Sequence, residues 1–157
     1  MKQGHRCLKK ERYEQAKAAY DRALALRPGH PEALMGRAAA FVGQNRLPEA
    51  LADMNAAIAA DPRPQWRSRR GMLLYALGRY PEALSDLNAV LAAFPGHAPS
   101  LAARGMVHLR MHNCDAAKTD FRAARKRRIP VPQEWDSACT PAPEPEGKNV
   151  FPEGDHH

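Results

Sequence analysis

The sequence predicts an all-α protein in which a unit of two helices repeats about four times. Two segments are near copies of each other, LPEALADMNAAIAADP (47–62) and YPEALSDLNAVLAAFP (80–95). Small residues recur at a spacing of 33 or 34 residues, and prolines bracket the helical segments. A repeat of this length is typical of a solenoid, in which each unit packs on its neighbours.

Three small-residue positions fix the register of the four copies. They are Gly4, Ala38, Gly71 and Gly105 in the first helix, then Ala16, Ala50, Ala83 and Ala117 in the second, followed by Ala23, Ala57, Val90 and Ala124. Small residues let two helices approach closely where their axes cross. Between the last two positions lies a large apolar residue, which is Tyr20, Met54, Leu87 or Phe121 and fills the gap.

The prolines mark where helices end and begin. Pro28, Pro62, Pro95 and Pro130 close the second helix of each copy, because proline lacks an N–H and clashes with the preceding turn. Pro31, Pro48, Pro64 and Pro81 fall at first positions of helices, where proline is tolerated. We therefore expect helix pairs over 2–11 and 13–27, 31–44 and 47–60, 64–77 and 80–93, and 98–112 and 114–128.

This pattern of small, aromatic and proline positions resembles the tetratricopeptide repeat family. The resemblance covers residues 1–130, in copies of about 1–30, 31–63, 64–97 and 98–130, and the first copy lacks the start of its first helix. It implies a right-handed α-solenoid whose first helices line a concave face. The implied function is non-enzymatic: an adaptor, assembly factor or substrate chaperone that binds a peptide segment in this face.

The resemblance also implies which residues line the concave groove. The candidates are His5, Lys9, Met35, Ala39, Val42, Ser68, Arg69, Met72, Tyr75, Met106, Leu109 and Arg110. Methionine side chains recur on surfaces that accept varied apolar partners. We expect a peptide with apolar anchors and negative charge, although Met35, Met72 and Met106 also suit ordinary packing between repeats.

Charge is divided unevenly along the chain. Residues 1–130 carry 23 Lys and Arg against 11 Asp and Glu, a balance of +12, whereas residues 131–157 carry one Lys against six acids, a balance of −5. A basic body favours an acidic protein partner, and it leaves association with RNA or a ribonucleoprotein particle as an alternative. A fragment of a longer, self-associating solenoid is the third hypothesis, suggested by the incomplete first copy.

The strongest basic run closes the last helix of the fourth copy. It consists of Arg122, Arg125, Lys126, Arg127 and Arg128. Positive charge suits the C-terminal end of a helix and keeps a terminal repeat soluble. The same run is also a candidate binding patch for an acidic or phosphate-bearing partner.

Catalytic and metal-binding patterns are weak. The chain has four serines and two threonines and no phosphate-binding or nucleophile-elbow motif, so we expect neither an enzyme nor a cofactor. His108, His112 and Cys114 have a spacing that suits zinc ligands, but a fourth ligand is missing. We treat them as a weak candidate and expect no metal.

The cysteines and the two ends of the chain lead to three further expectations. Cys7, Cys114 and Cys139 form no CxxC pair and are odd in number, which favours reduced thiols. The N-terminus has no apolar signal segment and the chain no membrane span, so we expect a cytoplasmic protein. Residues 131–157 predict a mostly disordered acidic tail, in which Trp135 either covers the end of the last repeat or is free and exposed.

Overall fold

The computed structural model describes the backbone of residues 2–138 and the side chains of residues 9–138. This part of the chain is all-α and contains no strand. Its helices are α1 (Lys2–Leu26), α2 (Pro31–Gly43), α3 (Leu47–Ala60), α4 (Pro64–Ala76), α5 (Tyr80–Ala93), α6 (Ala98–Arg110), α7 (Cys114–Lys126) and the short α8 (Glu134–Ser137). None of these helices is both long and apolar enough to cross a membrane.

Three complete helix pairs follow α1, and each pair is joined by a turn of the same design. The pairs are α2 with α3, α4 with α5, and α6 with α7, and their ends lie within two residues of the predicted ones. One residue in each turn has a positive φ: 59° at Asn45, 74° at Gly78 and 60° at His112. This left-handed conformation ends the first helix and reverses the chain, as glycine and asparagine do readily.

The first copy departs from the expected helix pair, because α1 is one continuous helix of 25 residues. The break that the sequence predicted between residues 11 and 13 is wrong. Glu11 lies where the other copies have Asn45, Gly78 and His112, and Glu14 lies where Pro48 and Pro81 begin their helices. Glutamate favours a helix interior, so nothing at these positions interrupts α1.

The core consists of two apolar clusters along the solenoid. The larger cluster is built mainly from α2 to α6, and the smaller one from α5, α6, α7 and the segment after α7. Small residues are required where helices of one pair cross. A Cβ atom added to Gly71 would lie 2.9 Å from Leu87 Cγ, and one added to Gly105 would lie 2.5 Å from Phe121 Cε1.

The segment after α7 covers the end of the smaller cluster. The Trp135 ring lies 5.4 Å from the Phe121 ring between centroids, and Val131 is buried beside it. Arg125 fixes this segment, because its guanidinium donates to the carbonyl oxygens of Val131 and Pro132 at 3.0 and 2.8 Å. The disorder expected for residues 139–157 concerns residues outside the described range and stays a prediction.

Candidate functional site

An open apolar concavity lies between the first helices of the second and third copies. It has a volume of about 450 Å³, and we call it the α2–α4 groove. Its lining consists of Ala39, Val42, Leu47, Met54, Arg69, Met72, Leu73 and Ala76. Met72 and Val42 are 51% and 41% exposed, so both side chains are accessible to a ligand.

Four of the predicted groove residues meet in this concavity. Ala39 and Val42 come from α2, while Arg69 and Met72 come from α4. Ala39 and Met72 occupy the same repeat position, so the solenoid brings them to one face. Arg69 is exposed and is the one charged residue among the eight that line the groove. The groove therefore offers apolar contacts and a single guanidinium at its edge.

Two predicted groove residues are instead part of the interior. Met35 is 4% exposed and belongs to the larger core cluster. Ser68 is also 4% exposed, and its hydroxyl lies 2.8 Å from the Ser100 hydroxyl of α6. Met35 and Ser68 share one repeat position, and this position is buried in both copies. Their burial favours packing between repeats, the alternative kept for Met35, over contact with a ligand.

The remaining candidates lie toward the two ends of the solenoid. Met106 and Leu109 are partly buried against the smaller cluster. Arg110 is exposed, and its Nε lies 3.4 Å from the Tyr75 hydroxyl, which links α6 to α4. This contact raises the pKa of the Arg110 guanidinium above its ordinary value. Lys9 is exposed on α1, whereas the His5 side chain lies outside the described residues.

A recurring ion pair, which the sequence analysis missed, holds each complete copy together. The pairs are Arg37 with Asp53, Arg70 with Asp86, and Arg104 with Asp120. Each guanidinium donates two hydrogen bonds of 2.7 Å to both oxygens of its aspartate. Bidentate pairs of this kind fix orientation as well as contributing energy. The sequence does carry a signal for these pairs, because an aspartate follows the arginine by 16 residues in each of the three complete copies.

Each arginine of these pairs also contacts the copy before it. Arg37 donates to Asp21 at 3.0 Å, Arg70 donates to Asn55 at 2.9 Å, and Arg104 donates to Asn88 at 2.9 Å. The hydrogen bonds to Asp53 and then to Asp21 raise the pKa of Arg37 above its ordinary value. The first helices are thereby held both within and between copies, which sets the spacing of α2 and α4 along the groove.

The predicted basic patch is smaller than its sequence suggests. Arg125 is partly buried and bound to the Val131 and Pro132 carbonyls and to Asp136, so it supports the fold. Arg122, Lys126, Arg127 and Arg128 remain exposed. Arg128 has a positive φ of 63° and ends the last turn after α7.

The structure places the three residues of the weak metal candidate, His108, His112 and Cys114, in different surroundings. His112 is the left-handed turn residue, in the position of Asn45 and Gly78. His108 is half-buried in the position of Phe41 and Leu74, and burial lowers the pKa of its imidazole. Cys114 is disulfide-bonded, which overturns the expectation of reduced thiols and removes a thiolate ligand. Among the described residues, no three side chains of metal-binding type form a group.

Comparisons with known proteins agree with this architecture. A family model described as a tetratricopeptide repeat matches residues 1–63 and 40–98, which together cover 1–98 of the 157 residues. No curated protein sequence matches the chain.

Solved structures give the same result at low sequence identity. MamA (residues 41 to the end) from Desulfovibrio magneticus RS-1 aligns with a TM-score of 0.69 at 21% identity, over 78% of this chain and 70% of that one. A tetratricopeptide repeat protein from Parabacteroides merdae aligns with a TM-score of 0.68 at 22% identity, over 83% of this chain and 53% of the other. The chain thus spans about half the length of the second protein, and at these identities the likeness concerns the fold alone.

Proposed function

Because the chain belongs to the tetratricopeptide repeat family, we propose that it is a non-enzymatic binding module that captures a segment of another protein in the α2–α4 groove. The observation that carries this proposal is the exposed apolar surface of Met72 and Val42 inside an open concavity of about 450 Å³. Large apolar side chains grouped in a concave surface are typical of ligand-binding sites.

The chemistry of the groove defines the ligand. Met72 and Val42 offer contacts to a leucine-like or aromatic anchor, and the methionine can adjust its rotamer to the anchor's shape. Arg69 at the edge favours a carboxylate beside that anchor. We expect a peptide in which an apolar residue is followed or preceded by an acidic one.

Binding of RNA through the net positive charge is less well supported than binding of a peptide in the α2–α4 groove. Arg37, Arg70 and Arg104 are each held by an aspartate, and Arg125 is held by Asp136 and two carbonyl oxygens. These four arginines are therefore unavailable to RNA phosphates. The role as adaptor, assembly factor or chaperone, and the cytoplasmic location, stay predictions from the sequence.

Selection of short random displayed peptides against the folded chain tests the groove. We expect enriched peptides to pair an apolar anchor with an acidic residue and to bind Met72→Glu at least about tenfold more weakly, because a carboxylate would be buried against the anchor. Arg69→Glu is expected to weaken acidic peptides more than neutral ones.

Phe94→Glu is the matched control. Phe94 is 52% exposed, close to the exposure of Met72, and lies away from the groove beside Pro64 and His97. Its variant should bind the selected peptides unchanged. Equal losses in Met72→Glu and Phe94→Glu, or enriched peptides that bind both variants like the wild type, would reject the groove as the site. Tight, steeply salt-dependent binding of RNA by all variants would favour the RNA alternative.

A further inference from the structure

One face of α1 is open to solvent although the same face is buried in the three complete copies. Ala16 and Tyr20 are partly exposed, and Ala23 is exposed. The residues at the same repeat positions are Ala50, Met54 and Ala57, then Ala83, Leu87 and Val90, and finally Ala117, Phe121 and Ala124. None of these nine is more than 4% exposed. The first copy thus carries a helix-packing surface without a packed helix.

The straightness of α1 explains the open face. In the complete copies the first helix turns back and covers the second, as α4 covers Leu87 with Gly71. In the first copy the corresponding residues continue along the axis of α1, so they extend past this face instead of lying over it.

The open face forms part of a concavity with the start of α2. The concavity has a volume of about 480 Å³ and is lined by Tyr20, Ala23, Leu26, Arg27, His30, Glu32 and Ala33. Leu26 is 85% exposed, the largest exposure among the large apolar side chains described. Leu26 stands at a position that is also exposed in the complete copies, at Ala60, Ala93 and Arg127, so the open face itself rests on Tyr20 and Ala23. These two residues are suited to the apolar stripe of a helix.

Charge and proline content decide what kind of helix fits. From Lys2 to Leu26, α1 has seven Lys and Arg against three Asp and Glu, so a second copy of α1 would be repelled. The acidic tail 139–157 contains prolines at 141, 143, 145 and 152, which exclude a helix long enough to fill the face. We therefore expect the helix that fits this face to come from a different protein.

We propose that this face of α1 binds an acidic amphipathic helix of a different protein, which takes the place that the first helix occupies in the complete copies. The bound helix carries glycine or alanine where it crosses Tyr20, as Gly71 does at Leu87 and Gly105 does at Phe121. It runs antiparallel to the second half of α1, like the first helix of a complete copy. Its first turn then lies near Arg27, where acidic side chains also suit the helix dipole.

The surface is separate from the α2–α4 groove, so the two proposals can fail independently. The groove lies between α2 and α4 and is lined by α2, α3 and α4, whereas this face belongs to α1 and the first residues of α2. Met72→Glu is therefore expected to leave binding at the α1 face unchanged.

A synthetic peptide based on α4 is the probe. It has the sequence of residues 64–76 with Arg67→Glu, Arg69→Glu and Arg70→Glu, so it keeps Gly71 and the apolar stripe but becomes acidic. Fluorescence anisotropy of the labelled peptide against the full chain should show saturable binding. The unmodified basic α4 peptide should bind at least about tenfold more weakly. The acidic peptide with Gly71→Leu should lose a similar factor, because its side chain would collide with Tyr20.

Two alanine variants of the protein locate the site. Ala23→Glu should weaken the acidic peptide at least about tenfold, since it adds a charge to the apolar face and repels the probe. Ala25→Glu is the matched control, because Ala25 and its equivalents Ala59, Ala92 and Lys126 are all exposed. It should change the affinity by less than about twofold.

Four results would overturn the proposal. They are the absence of saturable binding, equal effects of Ala23→Glu and Ala25→Glu, binding of the basic peptide as tightly as the acidic one, and a wild-type dimer in sedimentation that Ala23→Glu dissociates. The last result would assign the face to a second copy of this chain.

Discussion

In the third copy, residues 77–79 turn the chain between α4 and α5, whereas the matching residues 10–12 of the first copy continue a single helix. The two copies share the small residue of the first helix, at Gly71 and Gly4, and the alanine of the second, at Ala83 and Ala16. Their difference shows that the repeat register alone does not produce the helix pair.

Two local residues account for the difference. Gly78 adopts φ 74° and ends α4, and Pro81 stands in the first turn of α5. The first copy has Glu11 and Glu14 at these positions, and both residues favour the helix interior. The turn is therefore encoded in a left-handed residue and a following proline, and removing both signals merges two helices into one.

The largest effect is expected from restoring these two signals to the first copy. In the straight helix, Glu11→Gly and Glu14→Pro together cost about 4 kcal/mol, mainly through proline. A helical hairpin avoids that cost and buries Tyr20 and Ala23. Spin labels at Gln3 and Ala25 would then move from about 33 Å apart in a straight helix to a clearly shorter distance, as measured by double electron–electron resonance.

The control for this experiment is Glu11→Ala with Glu14→Ala. Alanine keeps the helix interior intact, so the long distance should be retained. A hairpin variant that keeps the long distance would show that the turn signals are insufficient. A true hairpin should also lose the acidic α4 peptide, because residues 2–11 would cover its site.

A pair of core truncations compares the same position in a complete and an incomplete copy. Leu87→Ala should lower the free energy of unfolding by about 4 kcal/mol, because the side chain is 0% exposed and leaves a cavity against Gly71. Tyr20→Ala should cost less than half as much, about 1.5 kcal/mol, since the Tyr20 side chain is only partly buried. Urea unfolding of both variants measures this ratio, and equal losses would contradict an open α1 face.

The next largest effect on the free energy of unfolding is expected from breaking the Arg70–Asp86 ion pair of the third copy. Asp86→Ala should cost about 3 kcal/mol, because Arg70 loses both 2.7 Å bonds while remaining partly buried. The first copy has Ala19 at this position, which is exposed, so Ala19→Asp should change stability by less than about 0.5 kcal/mol. The double variant Arg70→Met with Asp86→Leu should recover most of the loss in denaturant unfolding. A double variant as unstable as Asp86→Ala would show that apolar packing cannot replace the ion pair.

The smallest expected effect is on the pH dependence of stability, through His108 in the fourth copy. Burial lowers the pKa of His108, so the unfolded chain binds a proton more readily than the folded one. Stability from this group is present above the ordinary histidine pKa and is lost as pH falls through the lowered value. His108→Leu, which copies Leu74 of the third copy, should flatten this part of the dependence of the urea midpoint between pH 7 and 5. An unchanged slope would show that His108 does not contribute.

Much of the fold was predictable because the repeat positions demand particular side-chain sizes. The second helices, for instance, follow from Ala50, Ala83 and Ala117, and their ends from the closing prolines. The continuous α1 was missed because the register at Ala16 and Ala23 is intact, and only Glu11 and Glu14 indicate the absence of a turn. That signal becomes visible when the turns are compared copy by copy.

The candidate site was predictable in part. Val42 and Met72 were assigned to the groove through their place in the first helix, and both line it. Met35 and Ser68 were assigned by the same reasoning, yet both are 4% exposed and lie in the interior. Which side of a first helix faces its neighbour depends on the angle between copies, and no single residue encodes this angle.

The arginine–aspartate pairs have a consequence for building longer arrays from this sequence. At each internal boundary, an acceptor in one copy receives the arginine of the next: Asp21, Asn55 and Asn88 do so in turn. Arg122 occupies this acceptor position in the fourth copy, where a guanidinium has no lone pair to offer. A duplicated third copy grafted after α7 would therefore bring two cations together, and a modular fusion at this junction calls for Arg122→Asn.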